Sequence, residues 1–164
     1  MHSRPPKVLG PDDGKAGSLG SLGVRFMIGG EESGGGFALV EHPMAPRMLA
    51  APLHRHSRED EYSFVLEGRV GAQLGDDVVL GGPGDLIYKP RDQWHTFWNA
   101  GDEPARILEI ISPAGFERFF EELLEPESPE RPRATLPERY GLEIDIDSVA
   151  GLLDRHGLRF EPEA

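Results

Sequence analysis

Apolar residues recur in short runs from Val24 to Ile111, and residues that favour turns separate the runs. Several runs alternate apolar and polar positions, which is the pattern of a strand with one buried face. The runs, in chain order, are VRFMI, FALVEH, RMLA, YSFVLEG, RVGAQL, DVVL, DLIYKP, TFWN and RILEIIS. So many short runs at regular spacing predict an all-β fold, either an antiparallel sandwich or a barrel.

The pattern changes after Pro113, where apolar positions repeat at helical spacing. These positions are Phe116, Phe119, Phe120 and Leu123. Residues 125–139 carry four prolines and mixed charges, which indicates an extended connection rather than an element. A second helix is predicted to follow Asp147 and to end at Gly157. The C-terminal part therefore adds helices to a β domain.

The 164 residues are enough for one domain with one core. Residues 1–20, rich in Gly, Pro and Asp, are interpreted as a flexible arm, residues 21–115 as the barrel, and residues 116–164 as a helical extension with a proline-rich connection. Both helices are expected to pack outside the barrel. The edge strand VRFMI predicts pairing with a second copy, and hence a homodimer.

Composition excludes several classes of function. The formal charge of −12 makes contact with nucleic acid or an anionic membrane surface unfavourable. The chain has no cysteine, so disulfides, thiolate catalysis and cysteine-ligated zinc are excluded. No apolar run approaches the roughly 20 residues that span a bilayer, and the first residues lack the apolar core of a signal peptide. These features favour a cytoplasmic protein whose partner is a small molecule.

The segment HRHSREDE, residues 54–61, contains the main candidate chemistry. His54 and His56 share one face of a strand, where two imidazoles can converge on one ion. Three carboxylates follow, and any one of them could complete a metal site. By itself, this segment is more typical of a solvated charged loop than of a metal site.

The wider spacing resembles the two-part motif of the cupin family. Glu61 follows His56 after four residues and Gly68 follows Glu61 after six; further on, Gly84, Pro90, His95 and Asn99 have the spacing of the second part. Two positions depart from the family pattern, because Met48 and Asp92 stand where glycine is usual. The resemblance implies a cupin jelly-roll barrel, also called a double-stranded β-helix. It further implies one metal ion held by four ligands, namely His54, His56, Glu61 and His95.

Three imidazoles and one carboxylate suit a divalent transition metal such as Fe, Mn, Ni, Cu or Zn. Four protein ligands would leave coordination positions open for water, oxygen or substrate. Glu61 is the ligand that could detach and act as a general base, as the resemblance to metal-dependent cupin dioxygenases implies.

Positions that share a face with the ligands, together with the first helix, are candidates for a substrate pocket. They are Ser63, Val65, Phe97, Asn99 and Phe116. Their aromatic content favours a planar or apolar substrate. His42 is interpreted as a hydrogen-bonded structural residue rather than a fifth ligand. Lys89 is interpreted as a solvated surface residue, the alternative being a cation that meets an anion. The same surface role is expected for Arg47, Arg55 and Arg91.

The resulting hypothesis is a metal-dependent oxygenase similar to quercetinase-like cupins, acting on a small apolar or aromatic substrate. One alternative is a non-catalytic module that binds a small ligand, and another is a metal-dependent isomerase or lyase. The fold does not discriminate among them, because one fold supports many chemistries.

Overall fold

A computed structural model describes residues 6–162. Two antiparallel sheets pack face to face as a jelly roll, which confirms the predicted all-β fold with added helices. The first sheet has the strand order β1-β2-β3-β10-β5-β8, and the second has the order β11-β4-β9-β6-β7. Each sheet has free edges, so the predicted barrel is a pair of facing sheets rather than one closed sheet.

The strands, in chain order, are β1 (Ala16–Leu19), β2 (Leu22–Ile28), β3 (Ala38–Met44), β4 (Leu53–His56), β5 (Asp60–Glu67), β6 (Val70–Leu74), β7 (Asp77–Gly81), β8 (Leu86–Lys89), β9 (His95–Asn99), β10 (Ala105–Ser112) and β11 (Leu142–Asp145). The helices are α1 (Gly30–Ser33), α2 (Glu117–Leu124), α3 (Leu136–Arg139) and α4 (Ser148–His156), with a 3-10 turn at Arg133–Thr135. No helix in this part of the chain has the length and apolar character needed to cross a membrane.

The alternation along β10 shows how sequence determines the face of each strand. Every second residue from Ala105 to Ile111 is buried, and the residues between them are only partly covered. Ile107 is fully buried against Val65 of the same sheet and Val70 and Ala72 of the opposite sheet. This apolar layer holds the two sheets together, since burial of such side chains stabilises each by about 1.5–3 kcal/mol.

Strand β9 departs from simple alternation because both of its faces are covered. Phe97 faces the inner layer, whereas Trp98 packs outward against Leu152 and Leu158. The indole ring of Trp98 also stacks on His156 of α4, with ring centroids 4.4 Å apart. Helix α4 therefore lies outside the sheets, as the sequence predicted.

Three expectations were wrong, and they concern the N-terminal arm, the edge of the first sheet and the C-terminal extension. Residues 16–19 form β1 rather than a loose arm, while residues 1–5 of the predicted arm lie outside the described part. Strand β1 pairs with β2, so VRFMI is not an edge and does not support a homodimer, which stays a prediction. The C-terminal extension is not only helical, because β11 pairs with β4 and widens the second sheet.

The run RMLA, predicted as a strand, makes only isolated bridges. Met48 bridges Arg159, Leu49 bridges Trp98, and Arg47 has a positive φ of 58° that interrupts an extended backbone. Asp92, the other departure from the motif, has a φ of 64°, a conformation that aspartate tolerates better than most residues. The turn before His95 therefore keeps the shape that glycine would give.

His42 of β3 is a structural residue, as predicted. Its Nδ1 lies 2.8 Å from the carbonyl oxygen of Gly23 in β2, and its ring meets Phe120 edge to face with centroids 5.2 Å apart. Burial lowers the pKa of His42 to about 4. Because the folded chain takes up this proton less readily than the unfolded chain, whose histidine pKa is about 6.5, acid shifts the equilibrium toward unfolding.

We therefore expect that the His42→Gln variant depends less on pH than the wild type. Between pH 7 and pH 4, the wild type should lose roughly 3 kcal/mol more of its free energy of unfolding than the variant loses. Urea unfolding at several pH values, in chelator so that no metal contributes, measures this difference. Parallel pH profiles for the two proteins would contradict a neutral buried His42.

Candidate metal centre

The predicted metal ligands converge from both sheets. His54 and His56 lie on β4, and His95 begins β9, where it pairs directly with His54. Glu61 comes from β5 of the opposite sheet, on the face that also buries Ser63 and Val65. All four residues are buried, and one donor atom from each lies within 4.8 Å of the others. The cluster is a site that can bind a metal ion.

Glu61 lies at the centre of this cluster. Its Oε2 lies 3.2 Å from Nε2 of His95 and 3.4 Å from Nε2 of His56. The rings of His54 and His95 are also close, with centroids 4.4 Å apart. Three imidazole rings therefore surround one carboxylate oxygen, at distances that a shared ion can bridge.

The other ring nitrogens indicate which tautomers are present. Nδ1 of His54 lies 2.8 Å from the carbonyl oxygen of Pro52, and Nδ1 of His95 lies 3.1 Å from that of Gln93. A carbonyl only accepts hydrogen bonds, so both Nδ1 atoms carry the proton and both Nε2 atoms present a lone pair. Within residues 6–162, neither Nε2 of His95 nor Nε2 of His56 has a hydrogen-bond partner.

Buried lone pairs that face a carboxylate are unfavourable unless a cation lies between them. A divalent metal satisfies all of these donors at once, so the residues fit the ion that the motif implies. Burial lowers the pKa of His54 far below its usual range and also lowers that of His95, which favours the neutral ligand form. Burial alone would raise the pKa of Glu61, but the charges of His56 and Lys89 lower it well below its usual value.

Glu59 and Asp60, the other two carboxylates of the segment, are not metal ligands in this geometry. Asp60 accepts hydrogen bonds from the backbone and guanidinium of Arg91 at 2.9–3.2 Å. Glu59 is not a solvated turn residue either, because its side chain is 5% exposed and lies 3.7 Å from Nδ1 of His56. A tight turn after β4 folds Glu59 back against the outer side of that ring.

The surface role predicted for four basic residues holds for three of them. Arg47, Arg55 and Arg91 pair with exposed or partly exposed carboxylates. The prediction is wrong for Lys89, which is 1% exposed and whose Nζ lies 2.8 Å from Glu109 and 3.4 Å from Glu61. The sequence contained evidence for this burial. Lys89 lies two residues after Ile87 on β8, so both side chains share the inward face.

A cavity of about 250 Å³ lies beside the cluster. His54, Glu61, Lys89 and Glu109 form its polar end. Most of the remaining wall is apolar, and His42 and Glu161 are its other polar residues. The apolar wall comes from several elements and includes Leu19, Leu22, Phe97, Phe116, Phe119, Phe120, Leu123, Leu142, Ile144, Ile146 and Phe160. A largely apolar cavity with a few convergent polar groups is the usual form of a small-molecule site.

Two of the five pocket candidates, Phe97 and Phe116, line this cavity. The other three do not. Val65 lies deeper in the core, and Ser63 donates a hydrogen bond to Oε2 of Glu109 at 2.6 Å. The amide of Asn99 donates to the backbone carbonyls of Met44, Ala45 and Glu103, so it fixes the loops at the far end of β9.

Glu109 is a cavity residue that the sequence analysis missed. Glu109 lies between Ile107 and Ile111 at an inward position of an alternating strand. This position in the alternation is the feature of the sequence that could have predicted a buried carboxyl group. Burial raises its pKa to about 7, although the neighbouring Lys89 opposes this shift.

The ligand assignment predicts that His95→Ala abolishes metal binding, because it removes one of four donors and leaves Glu61 without its nearest imidazole. Asp60→Asn is the matched control, since Asp60 bonds to Arg91 outside the cluster. Elemental analysis after chelation and reloading measures metal content, and thermal unfolding measures the stabilisation that a bound ion gives the folded state. Full metal content in His95→Ala would refute the site.

Comparison with known proteins agrees with this arrangement. The family described as "Cupin domain" matches residues 41–111, a range that contains all four candidate ligands. A protein described as "Polyketide synthase CurC" from Streptomyces cyaneus is 31% identical over 108 residues, covering 65% of this chain and 66% of that protein. Part of the relative therefore lies outside the match.

Solved structures of other proteins are also similar to this chain. The polyketide cyclase RemF from Streptomyces resistomycificus is 28% identical with a TM-score of 0.56, covering 66% of this chain and 80% of its own. KdgF from a Halomonas species has a TM-score of 0.61 at 13% identity, covering 70% of this chain and 99% of its own, and so supports the fold alone. Together with the jelly roll and the ligand cluster, these matches establish that the chain belongs to the cupin superfamily.

Proposed function

We propose that the chain is a metal-dependent enzyme that cyclises a poly-β-ketone, the linear intermediate of aromatic polyketides. The observation that carries the proposal is the buried three-histidine, one-glutamate cluster beside a largely apolar cavity. The choice of substrate class is supported by the similarity to a polyketide synthase component and to a polyketide cyclase.

The cavity has the properties that ring closure requires. A flexible polyketone must fold so that one methylene carbon meets a distant carbonyl carbon, and a shaped apolar wall favours such a conformation. The aromatic side chains of Phe97, Phe116 and Phe119 provide flat surfaces for the growing ring. Exclusion of water also strengthens each electrostatic contact at the polar end.

The reaction would be an intramolecular aldol addition. A methylene carbon between two carbonyls loses a proton and bonds to a second carbonyl carbon, whose oxygen takes up a proton; loss of one water then gives the unsaturated ring. A divalent metal held by His54, His56, Glu61 and His95 would supply Lewis acidity toward a ketone oxygen. The protein must also supply a base for the first proton.

Two buried carboxyl groups line the cavity, those of Glu61 and Glu109, and either can serve as this base. The resemblance assigns the role to Glu61, but its low pKa favours a lasting ligand and makes it a weak base. Glu109 has a pKa of about 7, near the value at which a base is both ionised and effective. We therefore propose that Glu61 acts through the metal and that Glu109 accepts the substrate proton.

The oxygenase hypothesis is the second candidate. Its support is that four protein ligands leave coordination positions open around a metal that accepts five or six. Cyclisation consumes no oxygen, whereas an oxygenase must consume it. This difference separates the two candidates in one experiment.

The test supplies metal-loaded protein with a synthetic tetraketide thioester, the shortest such chain in which a methylene between two carbonyls can close a six-membered ring on a further ketone. We expect mass spectrometry to detect ring closure with loss of one water, faster than the spontaneous reaction, while an oxygen electrode records no uptake. His95→Ala should return the rate to background, and Asp60→Asn should keep the wild-type rate. Substrate-dependent oxygen uptake would favour the oxygenase instead. Binding of the thioester without ring closure or oxygen uptake would favour the non-catalytic alternative.

A further inference from the structure

Lys89 is an unusual residue for the wall of an apolar cavity. It is 1% exposed, although lysine is rarely buried to this extent without a specific partner. Its Nζ lies 2.8 Å from Oε1 of Glu109, 3.4 Å from Oε2 of Glu61 and 4.6 Å from the centre of the Phe97 ring. Lys89 thus connects the candidate metal ligands to the second carboxyl group of the cavity.

Stability does not explain why this lysine is buried. Replacing a buried ion pair by apolar residues of similar size is often neutral or stabilising, because two charges no longer have to leave water. The neighbourhood already offers apolar partners, since Ile87 and Phe97 pack in the same inner layer. A role in ligand binding is the better account of a cation at this position.

The surroundings keep Lys89 charged. Burial alone would lower its pKa, but the carboxylates of Glu109 and Glu61 raise it above the usual value. Glu109 is itself held by a 2.6 Å hydrogen bond from Oγ of Ser63, so the ammonium has a fixed partner. An ammonium can donate three hydrogen bonds, and these two carboxylates account for at most two of them.

We propose that Lys89 binds an anionic oxygen of the substrate, an enolate or carboxylate oxygen, inside the cavity beside Glu61. The proposal rests on the proposed function, and it adds the substrate charge that the site selects. With a divalent ion bound, the ion and Lys89 together carry more positive charge than Glu61 and Glu109 can neutralise. A buried excess of positive charge favours an anion over a neutral ketone.

The experiment uses 2,4-pentanedione, a small β-diketone whose enolate has its own ultraviolet absorption band. On binding as the enolate, the diketone loses one proton, which Glu109 accepts and exchanges with the buffer, and no bond between heavy atoms changes. We expect metal-loaded wild type to bind the diketone as enolate. Lys89→Met should bind it about tenfold more weakly, the usual effect of losing one charge-assisted hydrogen bond.

Arg91→Met is the matched control. Arg91 is a neighbouring cation that pairs with Asp60 at the surface, so its loss should leave enolate binding unchanged. Metal content is measured in every variant, because a loss of metal would itself weaken binding. If Lys89→Met does not fold or hold metal, the Lys89→Gln variant keeps a neutral hydrogen-bond donor for Glu109 while removing the charge, and it should also bind the enolate more weakly than the wild type.

The possible failures are distinguishable. If a metal-loaded Lys89 variant binds the enolate as tightly as the wild type, Lys89 is only a counter-ion and the inference is overturned, while the proposed function stands. If metal-loaded wild type does not bind the diketone at all, both the inference and the proposed function are contradicted.

Discussion

The arrangement of the site depends on one buried carboxylate. Glu61 is taken out of water with two imidazole nitrogens and one ammonium within 3.4 Å of its Oε2. An isolated carboxylate in such a place would cost several kcal/mol, so the fold must provide positive charge at the same point. Lys89 lies close enough to provide part of it, and the unprotonated Nε2 of His95 leaves room for a metal to provide the rest.

This constraint explains why the polar residues come from facing sheets. One sheet supplies the imidazoles from β4 and β9, and the other supplies Glu61, Lys89 and Glu109 from β5, β8 and β10. Neighbouring strands of one sheet could not surround a carboxylate, because adjacent inward side chains lie side by side. The apolar layer that contains Val65 and Ile107 keeps the sheets in register behind the cluster. Charge compensation therefore depends on correct sheet packing.

The sequence was sufficient for the parts of the molecule that local pattern controls. Period-two alternation located most strands, and motif spacing identified ligands that indeed converge. Prediction from the sequence failed where segments distant in the chain determine the environment of a side chain. The alternation of β8 puts Lys89 on the inward face, but its burial is acceptable only because Glu61 on the adjacent strand β5 and Glu109 on β10, one strand further, lie close to its ammonium. Likewise, β1 and β11 are strands because the sheets have edges there to pair with.

The charged residues of the site and much of the apolar cavity wall come from different segments of the chain. All four candidate ligands, with Lys89 and Glu109, lie in the segment that matches the family. Much of the cavity wall comes from outside that segment: Leu22 precedes it, while Phe116, Leu142 and Phe160 follow it. Substitutions in these flanking walls would change the shape offered to a substrate without changing the charges at the polar end. The chemistry and the substrate range can therefore vary independently, which is a physical reason why one jelly roll can serve many reactions.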